Sequence, residues 1–297
     1  MAKSDRRAVG SADGPWFVDD SCMDCDASRQ CAPTLIQARH GGSVFVRQPE
    51  TEEERRAAAR AMLICPTASI GVVGEKPDLK DLFPQEVAPG IHLAGYASPR
   101  AYGSNAWLIV RPGGNCLVDG PRWVPSLAEK IAGLGGLAHV LLTHRDDVGD
   151  AERYAERFGA RVWIHEHERG AAPFATDLFR GLEPTEIAPG LMAHPIPGHT
   201  RGSVAFHLEE RALFSGDSVH FSRTLGTLAA FGAQCWYSWP EQTRSIERLA
   251  SAIRFTELYP GHGSRFGAPD SETMRAALLD LASRMKRGDA ALAGTPW

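Results

Sequence analysis

No stretch of the 297-residue sequence is apolar for long enough to span a bilayer, which takes about 20 residues. Residues 1–14 are polar and contain Gly, Ala and Ser. They lack the apolar core of a secretory signal, so a disordered lead and a cytoplasmic location are expected, with no membrane partner. Positive charge is scarce too. Lys and Arg number 32 against 36 Asp and Glu, the formal net charge is -4, and the basic residues are scattered. No basic excess exists to drive nucleic-acid binding. Long repeats and low-complexity tracts are absent. Cysteine is limited to 6 residues, and four of them, Cys22, Cys25, Cys31 and Cys65, lie in the first quarter of the chain. In a reducing compartment such a cluster points to metal ligation rather than to disulfides.

What is present reads as one small domain followed by a large one. In residues 15–75, short strands are expected at 16–18, 34–37 and 43–47. Thr51 opens a helix: it is followed by three glutamates, with Glu54 at the capping-box position, and acidic residues favour a helix N-terminus. The helix stops at Cys65-Pro66. Residues 76–89, rich in Gly, Pro and charge, are expected to be a linker. Over 90–286, apolar strands alternate with amphipathic helices, at 126–134, 150–158, 241–253 and 271–285, which argues for a layered α/β (α+β) body. Residues 287–297 form an expected tail.

Four short motifs follow apolar strands in this body: Thr143-His144-Arg145-Asp146-Asp147, Pro197-Gly198-His199-Thr200, Ser215-Gly216-Asp217 and Pro260-Gly261-His262-Gly263. Gly and Pro make the sharp loops that let a strand end project one side chain into a shared cleft. Neutral imidazoles and carboxylates suit Zn, Fe or Mn. His144, Asp146, Asp147, His199, Asp217 and His262 are therefore candidate ligands for one or two ions. Asp146 and Asp147 are also candidates to accept a proton from a metal-bound water. His220 is expected near the pocket, and Trp236, Tyr237 and Trp239 either line a cleft or pack. His165 and His167 read as polar residues at a strand end.

The order of these motifs resembles the metallo-β-lactamase superfamily over about residues 87–285. Asp119-Gly120 and Tyr102-Gly103-Ser104-Asn105 resemble further parts of its pattern. The resemblance implies an αββα sandwich with a metal site at one edge. This chain departs from the family's His-x-His-x-Asp-His motif at His144-Arg145-Asp146-Asp147. One alignment anchors on Thr-His and makes His144 the first ligand, with two residues missing. The other anchors on Asp146-Asp147-Val148-Gly149, makes His144 the second His, and puts Leu142 where the first stood. Both leave this half of the site poorer in imidazole.

Cys22-x2-Cys25, Cys31 and Cys65-Pro66 resemble a single-cluster ferredoxin, which implies an iron–sulfur cluster on four thiolates. The ferredoxin spacing puts its third Cys at Ser28. Either Cys31 substitutes through a loop rearrangement, or the cluster is lost or labile and the module is a structural lid; zinc on the same four cysteines is a lesser alternative. The function expected first is hydrolysis of a small-molecule ester, thioester, lactam or phosphoester. The alternatives are a redox protein with a redox partner, passing electrons from the cluster to a metal site, and a non-catalytic binding protein.

Overall fold

The computed structural model describes residues 2–294. The N-terminal module contains two helices, α1 (Ala27–Cys31) and α2 (Glu52–Ile64), a hairpin of Ile36–Arg39 with Gly42–Phe45, and an antiparallel pair of Trp16–Val18 with Ile70–Val72. The capping box at α2 forms as the sequence implies. Thr51 Oγ1 accepts from the Glu54 amide, and the Glu54 carboxylate accepts from the Thr51 amide. Three expectations change here. Residues 2–14 are not a loose lead: the Ala8 amide donates to Val18 O and the Ala12 amide to Phe45 O, pinning this stretch along the module. Met1 lies outside the described residues. The expected linker holds a strand, Gln85–Ala88, which forms an edge of the large domain's first sheet; its polar residues suit an edge with one side in water. In the expected tail, Leu292 is buried and its carbonyl accepts from Gly232; residues 295–297 lie outside the described set.

The large domain is an αββα sandwich. Its seven-stranded sheet runs, in spatial order, Asp177–Phe179, Arg161–His165, His139–Leu141, Cys116–Val118, Trp107–Ile109, Ile91–Leu93 and Gln85–Ala88. The six-stranded sheet runs Thr185–Ala188, Leu191–Pro195, Val204–Leu208, Ala212–Gly216, Glu257–Pro260 and Phe266–Gly267. Side-chain alternation builds the layers, because successive strand residues point to opposite faces. Trp107, Ile109, Cys116, Val118 and Leu141 enter the core between the sheets, where they meet Val204, Phe206 and Phe214. Leu108, Leu117, Val140 and Leu142 face the other way, onto α3 (Pro125–Gly133) and α4 (Ala151–Phe158). α5 (Trp239–Ala252) and α6 (Ser271–Lys286) cover the second sheet through Ile246, Leu249, Leu278 and Leu281. Each such fully buried Leu or Ile contributes roughly 2 kcal/mol of transfer free energy.

This topology positions the site. Cys116–Val118 and His139–Leu141 are parallel, so Asp119 and the Thr143-His144 turn emerge at one edge. Ala212–Gly216 and Glu257–Pro260 are also parallel, so Asp217 and His262 emerge together. The module's core is continuous with the inter-sheet core: Trp16, Phe45 and Ile64 belong to the same buried cluster as Trp107 and Phe214.

Candidate metal centre

The strand-end turns are locked before any ion is considered. Asp119 is buried and takes positive φ, accepting from both the Thr143 amide (2.8 Å) and the Thr143 hydroxyl (2.9 Å). Burial drives its carboxyl up to about 8, against those donors. Thr143 Oγ1 also lies 3.0 Å from His144 Nδ1. That contact occupies Nδ1 and leaves His144 Nε2 buried without a partner. Burial holds this imidazole down at about 4, so it is neutral at pH 7. An oriented neutral imidazole is what a metal ligand requires.

His144 Nε2 stands 3.6 Å from Asp217 Oδ2 and 3.8 Å from Asp146 Oδ2. His199 Nε2 stands 3.7 Å from each of the same two oxygens. The His144 and His199 rings meet edge to face, centroids 4.8 Å apart. His199 is held by its backbone: its carbonyl accepts from the Trp236 and Tyr237 amides. Burial raises Asp146, but His199 and His144 beside it hold its carboxyl below the ordinary value.

On the other side of Asp217, His262 Nδ1 donates to the carboxylate at 2.9 Å and His262 Nε2 donates to Tyr102 O at 3.3 Å. With an acceptor at each nitrogen the ring is an imidazolium; despite burial, Asp217 raises it to about 10. The same contact holds Asp217 well below the ordinary carboxylate value, although burial opposes it. Asp147 Oδ2 accepts from Ser104 Oγ at 2.6 Å. Burial, then the negative charge of Asp217, pushes the Asp147 carboxyl well up.

These residues suit a metal on structural grounds. His144 Nε2, both nitrogens of His199 and Asp147 Oδ1 are buried and have no hydrogen-bond partner, a costly state for polar atoms unless something completes them. A β-carbon at Gly261 would lie 2.6 Å from Asp147 Oδ2 and 2.8 Å from Asp217 Oδ1, so any larger residue would fill the space between the carboxylates. Two groups of ligand atoms gather within 4.8 Å: His144, Asp146 and His199, and His144, Asp147 and Asp217. Five of the six sequence-expected ligands therefore gather in these two groups, and His262 stands beside them, bonded to Asp217 and to Tyr102 O. Leu142 packs into the helix-side core, so the position that the second alignment equates with a lost His does not face this centre.

The centre opens into a cleft of about 810 Å³, lined in part by Asp24, Arg100, Tyr102, Arg145 and Trp236. Trp236 and Tyr102 expose about half of their surface. His220 lies behind the wall, fully buried and stacked on Phe231 with centroids 4.0 Å apart, and is absent from the cleft lining. His165 is structural, bonded to Gly181 O and to the His167 amide. Sequence reasoning missed Ser104 as a partner of Asp147, and it missed Asp24, which comes from the N-terminal module. Only tertiary placement shows these contacts.

Comparison with known proteins agrees with this geometry. Residues 92–266 match the family described as metallo-beta-lactamase superfamily. The chain belongs to that superfamily. Residues 18–72 match the 4Fe-4S single cluster domain of ferredoxin I. A hydroxyacylglutathione hydrolase of Pseudomonas putida (strain W619) is 35% identical over 133 residues, 42% of this chain and 48% of that protein. One from Stenotrophomonas maltophilia (strain R551-3) is 38% identical over 128 residues, 41% and 48% of the two chains. The chain thus spans about half the length of these curated relatives. Among solved folds of the superfamily, the DIM-1 metallo-beta-lactamase aligns with a TM-score of 0.51 at 21% identity, over 67% of this chain and 95% of that one. The metallo-beta-lactamase from Hirschia baltica aligns with a TM-score of 0.50 at 18% identity, over 68% and 96%.

The N-terminal thiols are all unpaired. Cys25 has Cys65 and Cys22 as ionisable neighbours, whereas those of Cys31 are Arg60, Arg265 and Asp26.

Proposed function

We propose that this chain is a metal-dependent hydrolase acting on a small acyl substrate, a thioester first among the ester, thioester, lactam and phosphoester classes. One observation carries the reading: the unpartnered nitrogens of His144 and His199 converge with the Asp146 and Asp217 carboxylates at the floor of an open cleft. The thioester preference rests on the relatives named hydroxyacylglutathione hydrolase.

His144, Asp146 and His199 would hold one ion, and Asp147 and Asp217, joined by His262 only once its ring gives up a proton, would hold a second. Zn, Fe and Mn all suit imidazole and carboxylate together. A divalent metal bound here lowers the pKa of its water toward about 7 and polarises the scissile carbonyl. The Asp119–Thr143–His144 chain keeps His144 Nε2 aimed at the site. Asp146, partly open to the cleft, would hold the ion through Oδ2 and would accept a proton from a water in the cleft at its other oxygen. Ser104 fixes Asp147 so that its second oxygen faces the centre. Trp236 and Tyr102 offer apolar surface for the acyl part at the mouth. The six unpaired cysteines suit a reducing compartment such as the cytoplasm.

The test is metal analysis of the purified chain together with hydrolysis of a 2-hydroxyacyl thioester of glutathione, a simple ester, a β-lactam and a phosphodiester. We expect one to two ions per chain and thioester cleavage that a chelator abolishes and added metal restores. A fully metal-loaded protein that cleaves none of the four substrates would overturn the hydrolase reading.

A further inference from the structure

We infer that Arg145 selects the substrate, and that it selects for an acyl chain ending in a carboxylate, as in the monoesters and monothioesters of short dicarboxylic acids. The inference rests on the hydrolase reading and names the substrate class of the same cleft.

Arg145 stands between the candidate ligands His144 and Asp146, yet its side chain is 46% exposed and lines the cleft. Two carboxylates flank its Nε, Asp146 Oδ1 at 3.7 Å and Glu168 Oε2 at 3.9 Å. Both are ion-pair distances, too long for hydrogen bonds. The two Nη groups have no bonded partner among the described residues. A guanidinium carries its donors in a planar fork that matches a carboxylate at two points. At this position the fork is open to a ligand in the cleft.

Glu168 explains why the arginine stays there. Its side chain is fully buried, on the turn Glu166–Ala171 that follows the strand Arg161–His165, and it belongs to neither ligand group. One oxygen accepts from the Gly202 amide at 2.7 Å, and Oε2 is buried without a hydrogen-bond partner. A β-carbon at Gly202 would lie 2.5 Å from Glu168 Cγ, so the backbone presses directly on this side chain. A buried carboxylate needs a cation, and among the described residues Arg145 is the only one within 4.0 Å. Glu168 is therefore a positioning residue that holds the Nε edge of Arg145.

The surroundings favour an anion on this wall. The turn Pro99–Ala101 packs against the turn Arg145–Asp147. It brings Arg100, exposed and paired to Asp150, and the neighbouring Tyr102 into the same lining. An acyl chain laid on the Tyr102 ring would meet the arginines at its far end. The acidic residues of the cleft are committed elsewhere. Asp146, Asp147 and Asp217 belong to the ligand groups. Asp24 is bonded to Arg29 at 2.5 Å, within a balanced set in which Asp26 pairs with both Arg29 and Arg223.

The full chain, loaded with zinc, is titrated calorimetrically with glutarate and with its monoamide. Each offers one carboxylate to the ion, and only glutarate has a second. We expect glutarate to bind about tenfold more tightly, as one charge-assisted pair at a part-exposed arginine implies, with the difference shrinking as salt is added. Arg145→Gln combined with Glu168→Gln removes the arginine without stranding its buried partner, and is expected to bring the two affinities within about twofold. Arg145→Lys, which keeps the charge and loses the fork, is expected to fall between. Glutaryl and glutaramyl thioesters of the same thiol are expected to differ in KM rather than in kcat, a ratio that a purely structural role of Arg145 would not move. Equal binding of the two compounds by the parent, or an undiminished preference in the double variant, would overturn the inference. A glutarate preference without turnover of either thioester would overturn the hydrolase reading instead and leave Arg145 as the anion receptor.

Discussion

The cleft and the thiol module solve the same problem to different degrees. In the cleft every strand end supplies its side chain, and two imidazoles keep unpartnered nitrogens aimed at a common point. In the module the four thiols are free, and among the described residues they form no compact ligand group. The contrast shows what fixes a ligand. The cleft residues sit on short turns after sheet strands, whose register leaves little freedom. Cys31 ends a five-residue helix whose Arg29 is bonded to Asp24, Asp26 and Ser43, so its backbone is held by contacts that the cysteine spacing does not reveal.

The sharpest way to break the comparison is to damage the cleft. His199→Ala is expected to remove bound metal and to lower kcat/KM for the thioester about 1,000-fold, roughly 4 kcal/mol. Metal analysis alongside steady-state kinetics checks both, and retention of full metal content would place His199 outside the ligand set. Next comes the module's buried charge. Arg29→Met leaves Asp26 with only Arg223 and is expected to cost about 3 kcal/mol of stability, read by denaturant unfolding. An unchanged midpoint would mean that the network does not hold α1.

A pair remote from both regions calibrates these effects. His194 and His207 lie 5.8 Å apart on adjacent strands, and burial holds His194 down at about 4. Below about pH 6.5 the unfolded chain binds a proton at this position that the folded chain refuses. Stability is therefore full above pH 6.5 and falls as the pH drops toward 4, by about 2–3 kcal/mol for this group. His194→Phe should flatten that part of the profile in thermal unfolding measured from pH 7 to 4; an equally steep slope would assign it elsewhere. The smallest effect is expected from Tyr102→Phe, which removes the bond to Met23 O. A loss of about 1 kcal/mol, with KM rising more than kcat falls, would show that the module shapes the cleft wall. An unchanged KM would limit this tether to stability.

Much of this was legible in the sequence because it is local. The capping box at Thr51 and Glu54, the periodicity of the large domain's helices, and the Gly- and Pro-flanked ligands each need only a few neighbouring residues. What was hidden depends on partners outside the segment being read. The strand Gln85–Ala88 forms because Ile91–Leu93 offers it an edge, not because its own residues favour pleating. The division of Asp146 and Asp147 between two ligand groups that share His144 follows from a tight turn after His144, which two alignments left open. Arg29 gave no signal at all: an arginine between two polar residues reads as surface until its acidic partners fold around it.

One tripeptide touches both centres. Tyr102 offers its carbonyl to His262 and its hydroxyl to Met23, a β-carbon on Gly103 would stand 2.5 Å from the Cys25 sulfur, and Ser104 bonds Asp147. Dissecting the chain near residue 76 would accordingly yield no pair of autonomous parts. The severed large fragment would present raw apolar surface where the module had lain and would lose the brace beneath its own ligands, so the two halves must be inherited, expressed and redesigned as one.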